Sequence, residues 1–184
     1  MINQQKKAFR VKVKELKKQV ALEEKKRKSG VIFEQIENLA DFKNADTIMA
    51  YWSMDDEVFT HDFVQKWYQY KKVILPSVKE DELELRVFKG VEKMKAGLAF
   101  GILEPTDIFE GDLSEIDLII VPGVAFDLEN NRLGRGKAYY DKLLINTRAS
   151  KIGVCFDFQL FDKIPADEYD IKMDAVITDK NYGT

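Results

Sequence analysis

One cysteine and one histidine are all that 184 residues hold of the side chains most often used as nucleophile, general base and soft metal ligand. The single Cys155 excludes an internal disulfide and fits a reducing compartment. With only His61 beside it, a zinc site of the Cys/His kind lacks ligands. No apolar run approaches the roughly 20 residues of a membrane span. The start, Met1 to Lys7, lacks the apolar core of a signal peptide. Repeats, low-complexity tracts and linkers are absent too. What is present is 45% apolar and 33% charged residues, enough for a core and too apolar for a disordered chain. These features predict a soluble, cytoplasmic, single domain over residues 1–184, and a monomer is expected.

The net charge is −3, but its sign is unevenly placed. Residues 1–28 carry +8 and the remainder −11. Phe9, Val13, Leu16 and Val20 recur at spacings of 4, 3 and 4, so residues 1–28 read as a basic amphipathic helix packed on the domain. A disordered basic arm would not need that stripe. The acidic remainder repels phosphate backbone, which argues against a nucleic-acid partner.

Farther along, the hydrophobic period alternates. Ser29 is placed to cap a second helix with Ile32, Ile36 and Leu39 on one face. Thr47–Trp52 reads as a buried strand, Thr60 as the cap of a helix bearing Phe63, Val64 and Trp67, and Val73–Leu75 as a strand stopped by Pro76. Leu83, Leu85 and Val87 alternate as in a half-exposed strand. Leu118–Val121 is the clearest buried strand; a helix over Ala138–Thr147 and strands over Ile152–Phe156 and Ala175–Thr178 follow. Strands separated by helices predict a three-layer α/β fold, with a largely parallel twisted sheet and helices on both faces. Ligands of such sheets lie beyond the strands' carboxyl ends, after Trp52 and after Val121.

The segment from Val121 to Asp141 carries the chemistry. Gly134 and Gly136 allow backbone amides close to a bulky anion, and Arg132, Arg135 and Lys137 place three cations within six residues. The helix beginning near Ala138 would add its positive end. Asp141, one turn in, suits a magnesium ion held beside phosphates. Neither a Walker A loop nor a dinucleotide glycine pattern is present. The plain alternative is a glycine-containing turn with solvated cations.

The run Pro122-Gly123-Val-Ala-Phe126-Asp127 … Arg132-Leu-Gly134-Arg135-Gly136-Lys137-Ala-Tyr139-Tyr140-Asp141 resembles the signature of the 5-formyltetrahydrofolate cyclo-ligase family. The likeness extends to Lys6–Arg10, Ser53–Glu57, Gly101–Pro105, Gln159 and Asp170–Thr178. It implies a sheet like that of isomerases and CoA transferases, and conversion of 5-formyltetrahydrofolate, polyglutamylated or not, to 5,10-methenyltetrahydrofolate with ATP and Mg2+. It implies nucleotide contacts from Lys6, Arg10, Arg132, Gly134, Arg135, Gly136, Lys137, Tyr139 and Tyr140. Arg135 and Lys137 would be catalytic. Folate contacts would come from Trp52, Glu57, Arg135 and Tyr139, and metal ligation from Asp141 and Asp170. Ala138 stands where the family often has glycine, and Tyr169 where many members have histidine. Two alternatives remain open: a non-catalytic folate or nucleotide binder, and a sugar-phosphate isomerase or CoA transferase on a similar sheet.

Overall fold

A computed structural model describes residues 1–97 and 101–180. The chain opens with α1 (Ile2–Lys18), α2 (Leu22–Asn38), the short α3 (Ala40–Asn44) and β1 (Thr47–Met49). Then come α4 (His61–Trp67), the hairpin β2 (Lys72–Lys79) and β3 (Glu82–Val87), and β4 (Met94–Ala96), β5 (Leu103–Pro105) and β6 (Asp107–Ile108). The remaining elements are β7 (Leu118–Pro122), β8 (Ala125–Asp127), β9 (Arg132–Leu133), α5 (Tyr139–Leu144), β10 (Ser150–Val154), β11 (Leu160–Phe161) and β12 (Ala175–Ile177).

Seven strands form the main sheet in the order β12-β10-β7-β1-β2-β3-β6. The pairings from β12 to β2 are parallel, and β3 and β6 add an antiparallel edge. Alternate residues of the buried strands feed opposite layers. Ile48, Leu118 and Ile120 pack with Ile32 and Ile36 of α2 and Phe63 and Val64 of α4. Met49, Ile119 and Val121 pack with Leu143 and Leu144 of α5, and with Phe126 and Met173. Each fully buried aliphatic side chain contributes about 1.5–3 kcal/mol, and a sheet apolar on both faces is stable only when both are covered. The structure is thus the expected α/β fold with a mostly parallel sheet between helices.

Three local expectations are corrected. Residues 1–28 are not one helix: α1 ends at Lys18, Ala21 is extended with ψ 151°, and α2 begins at Leu22 with Glu23 and Glu24 in its first turn. Ser29 is therefore inside α2, not at its start; its hydroxyl donates to the Lys25 carbonyl at 2.7 Å and accepts the Phe59 amide at 2.8 Å. Pro76 does not end its strand. The carbonyl of Ile74 faces β1, where it accepts the Ala50 amide, so Pro76, two residues on, turns its missing N–H to the side where β1 has already stopped.

Two strands of opposite history adjoin. From β1 the chain moves to β2 on one side, and later strands β7, β10 and β12 are laid on the other. The carboxyl ends of β1 and β7 therefore flank a topological switch point, where open α/β sheets bind ligands. A three-stranded sheet, β11-β8-β9, lies next to this point, and α1 packs on it through Phe9 and the fully buried Val13.

Candidate active site

At the switch point lies a cavity of about 820 Å³, toward the upper end of the usual range for small-molecule sites. Every candidate residue drawn from the sequence lines it: Lys6 and Arg10 from α1, Trp52 and Glu57 from the segment after β1, those of the unbroken run Arg132 to Asp141, and Asp170. Among the described residues no helix is long and apolar enough to cross a membrane.

The loop that forms one wall is held by a buried carboxylate. Asp127, 1% exposed, accepts the Glu129 and Asn131 amides on Oδ1 at 3.0 and 2.9 Å. Its Oδ2 accepts the Asn131 side-chain amide at 3.0 Å and the Ile164 amide at 3.1 Å. This turns the chain from β8 into β9 and aims Arg132 at the cavity. Gln159, also buried, accepts the Phe156 amide and donates to the Val124 carbonyl at 2.8 Å, which fixes the exit from β7. Arg10 then donates to the Gly134 carbonyl at 2.8 Å, so α1 clamps the loop from outside. Gly136 has φ 103°, a conformation that side chains other than glycine avoid. Ala138 has φ 55° and ψ 17°, so a residue with a methyl group occupies the left-handed region immediately before α5.

The three cations of the loop take different roles. Arg132 is 5% exposed and faces inward; Nη1 donates to the Pro122 carbonyl and Nη2 to Asp141 Oδ2, both at 3.1 Å, and the guanidinium lies 5.5 Å from the Tyr140 ring centre. Arg135 spans the cavity rim, its Nη2 2.8 Å from Asp56 Oδ1 and 3.1 Å from Glu57 Oε1. Lys137 is exposed and makes no hydrogen bond or ion pair with the described residues. The expected helix over Ala138–Thr147 is only the six residues of α5, so its dipole adds little to the cradle. Two further cations on the cavity, Lys6 and Arg10, come from α1. Lys6, 7% exposed, donates to Asp167 and Asp170, each at 2.6 Å. Burial alone would lower its pKa, but the two carboxylates outweigh it and hold the ammonium above the ordinary lysine value. In return the Lys6 hydrogen bond holds Asp167 below the usual carboxylate range.

Asp141 and Asp170 stand close on one wall, since the Ile171 amide reaches Asp141 Oδ1 at 3.5 Å. No group of three or more His, Cys, Asp or Glu that could hold a metal occurs among the described residues. Two carboxylates beside the loop cations would suit magnesium, which fills most of its shell with phosphate oxygens and water; they do not make an all-protein cage. Two buried polar atoms on the same wall, Arg132 Nε and Tyr140 Oη, have no partner among the described residues and can serve a ligand. Burial also pushes the Tyr140 phenol well above its ordinary pKa, so it stays a donor.

On the opposite side, Glu57 accepts the Met54 amide on Oε2 at 2.9 Å and Arg135 Nη2 on Oε1. Trp52 is half-buried and already stacked: its ring lies 3.8 Å from His61 at 12° and 5.7 Å from Phe88 at 25°. It is a wall residue whose stacking partners the protein supplies. Tyr139 is half-buried on the same cavity. Sequence reasoning did not single out Lys17, Asp56 or Asp167. Lys17 follows Lys6, Arg10 and Val13 at spacings of 4, 3 and 4, so one face of α1 carries all four, and the signal was there in the periodicity. Nothing local marked Asp56 or Asp167 among 32 acidic residues.

The family model described as the 5-formyltetrahydrofolate cyclo-ligase family matches residues 2–179. The chain is 33% identical to the 5-formyltetrahydrofolate cyclo-ligase of Haemophilus influenzae, over 74% of this chain and 77% of that one. It is 27% identical to the mouse 5-formyltetrahydrofolate cyclo-ligase over 96% of this chain and 94% of the other. Among solved structures, the Aquifex aeolicus 5,10-methenyltetrahydrofolate synthetase superposes with a TM-score of 0.86 at 36% identity, covering 96% of this chain and 90% of that one. The Mycoplasma pneumoniae 5,10-methenyltetrahydrofolate synthetase gives 0.76 at 26% identity, covering 95% and 99%.

Proposed function

Because the chain belongs to the 5-formyltetrahydrofolate cyclo-ligase family and is an enzyme of that kind, we propose that it closes 5-formyltetrahydrofolate to 5,10-methenyltetrahydrofolate with ATP and magnesium, releasing ADP and phosphate. The observation that carries this reading is the convergence of Lys6, Arg10, Arg135, Lys137 and Glu57 on one cavity. A sugar-phosphate isomerase would need an anion loop alone and would leave Glu57 and the α1 cations without a role.

In the proposed course the formyl oxygen attacks the γ-phosphorus and ADP leaves. The resulting phosphorylated imidate is attacked at its carbon by N10, which loses its proton as the ring closes and phosphate departs. The substrate supplies both nucleophiles. That agrees with the placement of the two side chains usually suited to be base or nucleophile. His61 is stacked on Trp52 with Nε2 on the Ser53 carbonyl at 3.0 Å, and Cys155 is buried with its thiol pushed far above its ordinary pKa. The protein's part is then alignment and charge stabilisation. Lys137, without a partner among the described residues, meets the transferring phosphoryl oxygens. Glu57 accepts donors of the pterin through Oε1. Asp141 and Asp170 would hold magnesium, which would neutralise phosphate charge. Mixing protein, ATP, magnesium and 5-formyltetrahydrofolate should raise absorbance at the methenyl band with equal formation of ADP. Full turnover in excess chelator, or cyclisation without ADP, would overturn the reading.

A further inference from the structure

Arg135 is shared unequally between two carboxylates. Glu57 lines the cavity, and its Oε2 is committed to the Met54 amide, so Oε1 is the oxygen it can offer a ligand. That same oxygen holds Arg135 Nη2 at 3.1 Å. A folate donor that takes Oε1 shares that oxygen with Arg135 and weakens its hold on the guanidinium. Asp56, by contrast, is not part of the cavity wall. Its Oδ1 lies 2.8 Å from the same Nη2, and its Oδ2 is 3.2 Å from Lys17 Nζ. Lys17 is 6% exposed on the inward face of α1, and Asp56 is the carboxylate it pairs with. Burial works against the charge of Asp56, but Lys17 and Arg135 together hold its pKa below the ordinary value.

We propose that Asp56, anchored by the buried Lys17, is a positioning residue that keeps Arg135 at the cavity rim once a folate occupies Glu57. This rests on the reading of Glu57 as a folate acceptor and Arg135 as a phosphate contact. An arginine side chain left without a partner loses rotamer entropy when it must be fixed again. With Asp56 on Nη2, the donors on Nη1 and Nε, which have no acceptor among the described residues, stay aimed for a phosphate. Asp56 thus matters most when both ligands are bound.

The test titrates a non-hydrolysable ATP analogue into wild type and Asp56→Ala, with and without saturating 5-formyltetrahydrofolate. Without folate, Glu57 still holds Arg135 and the variant should bind nearly as wild type does. With folate, its nucleotide affinity should fall at least about fivefold, the lower end of ordinary coupling between sites, and KM for ATP should rise more than kcat falls. Lys17→Met should move in the same direction and add nothing to Asp56→Ala, and it carries the test alone if Asp56→Ala does not fold. An equal loss with and without folate, or no loss in either case, overturns the positioning role. Arg135→Ala separates the two levels. If it leaves nucleotide affinity unchanged, the reading of the site fails and the proposal falls with it; if it weakens binding while Asp56→Ala does not, only the proposal fails.

Discussion

The Arg132 guanidinium and the Asp141 carboxylate meet at 3.1 Å inside the very loop from which both were expected to serve ligands. Arg132 braces β9 to α5 and to the end of β7 through Nη2 and Nη1, while its Nε has no partner among the described residues. In Arg132→Met the Asp141 carboxylate and the Pro122 carbonyl lose their donor. Breaking a fully buried pair costs about 3–5 kcal/mol, and the partial exposure of Asp141 reduces this to roughly 2–3 kcal/mol. A fall in melting temperature of about 4–12 °C is expected for a chain of this size. An unchanged melting temperature together with lost nucleotide binding would make Arg132 a ligand contact instead.

Lys137→Met should do the reverse. The side chain is exposed and has no ion pair with the described residues, so stability should stay within about 0.5 kcal/mol of wild type. Turnover at saturating ATP and folate should fall about 100-fold or more, the usual loss when one preorganised electrostatic group is removed. Normal kinetics would leave Lys137 as a solvated cation beside a glycine turn.

Ala138→Gly should not destabilise, unlike most substitutions at ordered positions. The left-handed conformation at φ 55° costs an alanine about 1–2 kcal/mol. Glycine removes that strain but gains about 0.4–1 kcal/mol of unfolded-chain freedom. The net expectation is zero to about 1.6 kcal/mol of stabilisation, read by denaturant titration. A loss beyond 1 kcal/mol, by the same estimate, would show that the methyl group packs favourably.

His61 sets a weak dependence of stability on pH. A carbonyl only accepts, so the neutral ring carries its proton on Nε2 toward Ser53. Burial lowers the imidazole pKa from its ordinary 6.5, although the Ser53 carbonyl, Asp62 and Asp55 act in the opposite sense. The unfolded chain therefore takes up the proton first as pH falls, and folding weakens from about 6.5 down to the folded-state value. His61→Phe keeps a ring on Trp52 but does not titrate. Between pH 7 and 5.5 wild type should lose more stability than this variant, by less than about 1 kcal/mol because the ring is half-exposed. Parallel stability curves would exclude a buried-histidine contribution.

The parallel strands were legible because burial on both faces demands unbroken apolar runs such as Leu118–Val121, and the ligand end follows from such a sheet. The break between α1 and α2 was not, since no glycine or proline marks residues 19–21 and the apolar spacing runs through to Val20. Pro76 misled for a different reason. Whether a proline stops a strand depends on which side its missing N–H faces and how far the neighbouring strand runs, which is a property of the sheet. At the site, the loop from Arg132 to Asp141 showed its cations, but not that one would turn inward to a carboxylate. Nor could spacing join Arg135 to Asp56 across 79 positions, or Lys6 to Asp167 across 161.

That last span has a consequence for the order of events when the protein is made. The carboxylates that hold Lys6 lie 161 and 164 positions after it. During synthesis from the N-terminus, Lys6 emerges on α1 long before its partners exist. The strands β1, β2 and β7 can pair meanwhile, because their partners arrive within the first two thirds of the chain. The entropic penalty of closing so long a loop grows only slowly with its length, so the delay is kinetic and not thermodynamic. The cavity wall built by Lys6, Asp167 and Asp170 therefore assembles only after β10 has been made, and ligand binding there reports a chain translated past Asp170.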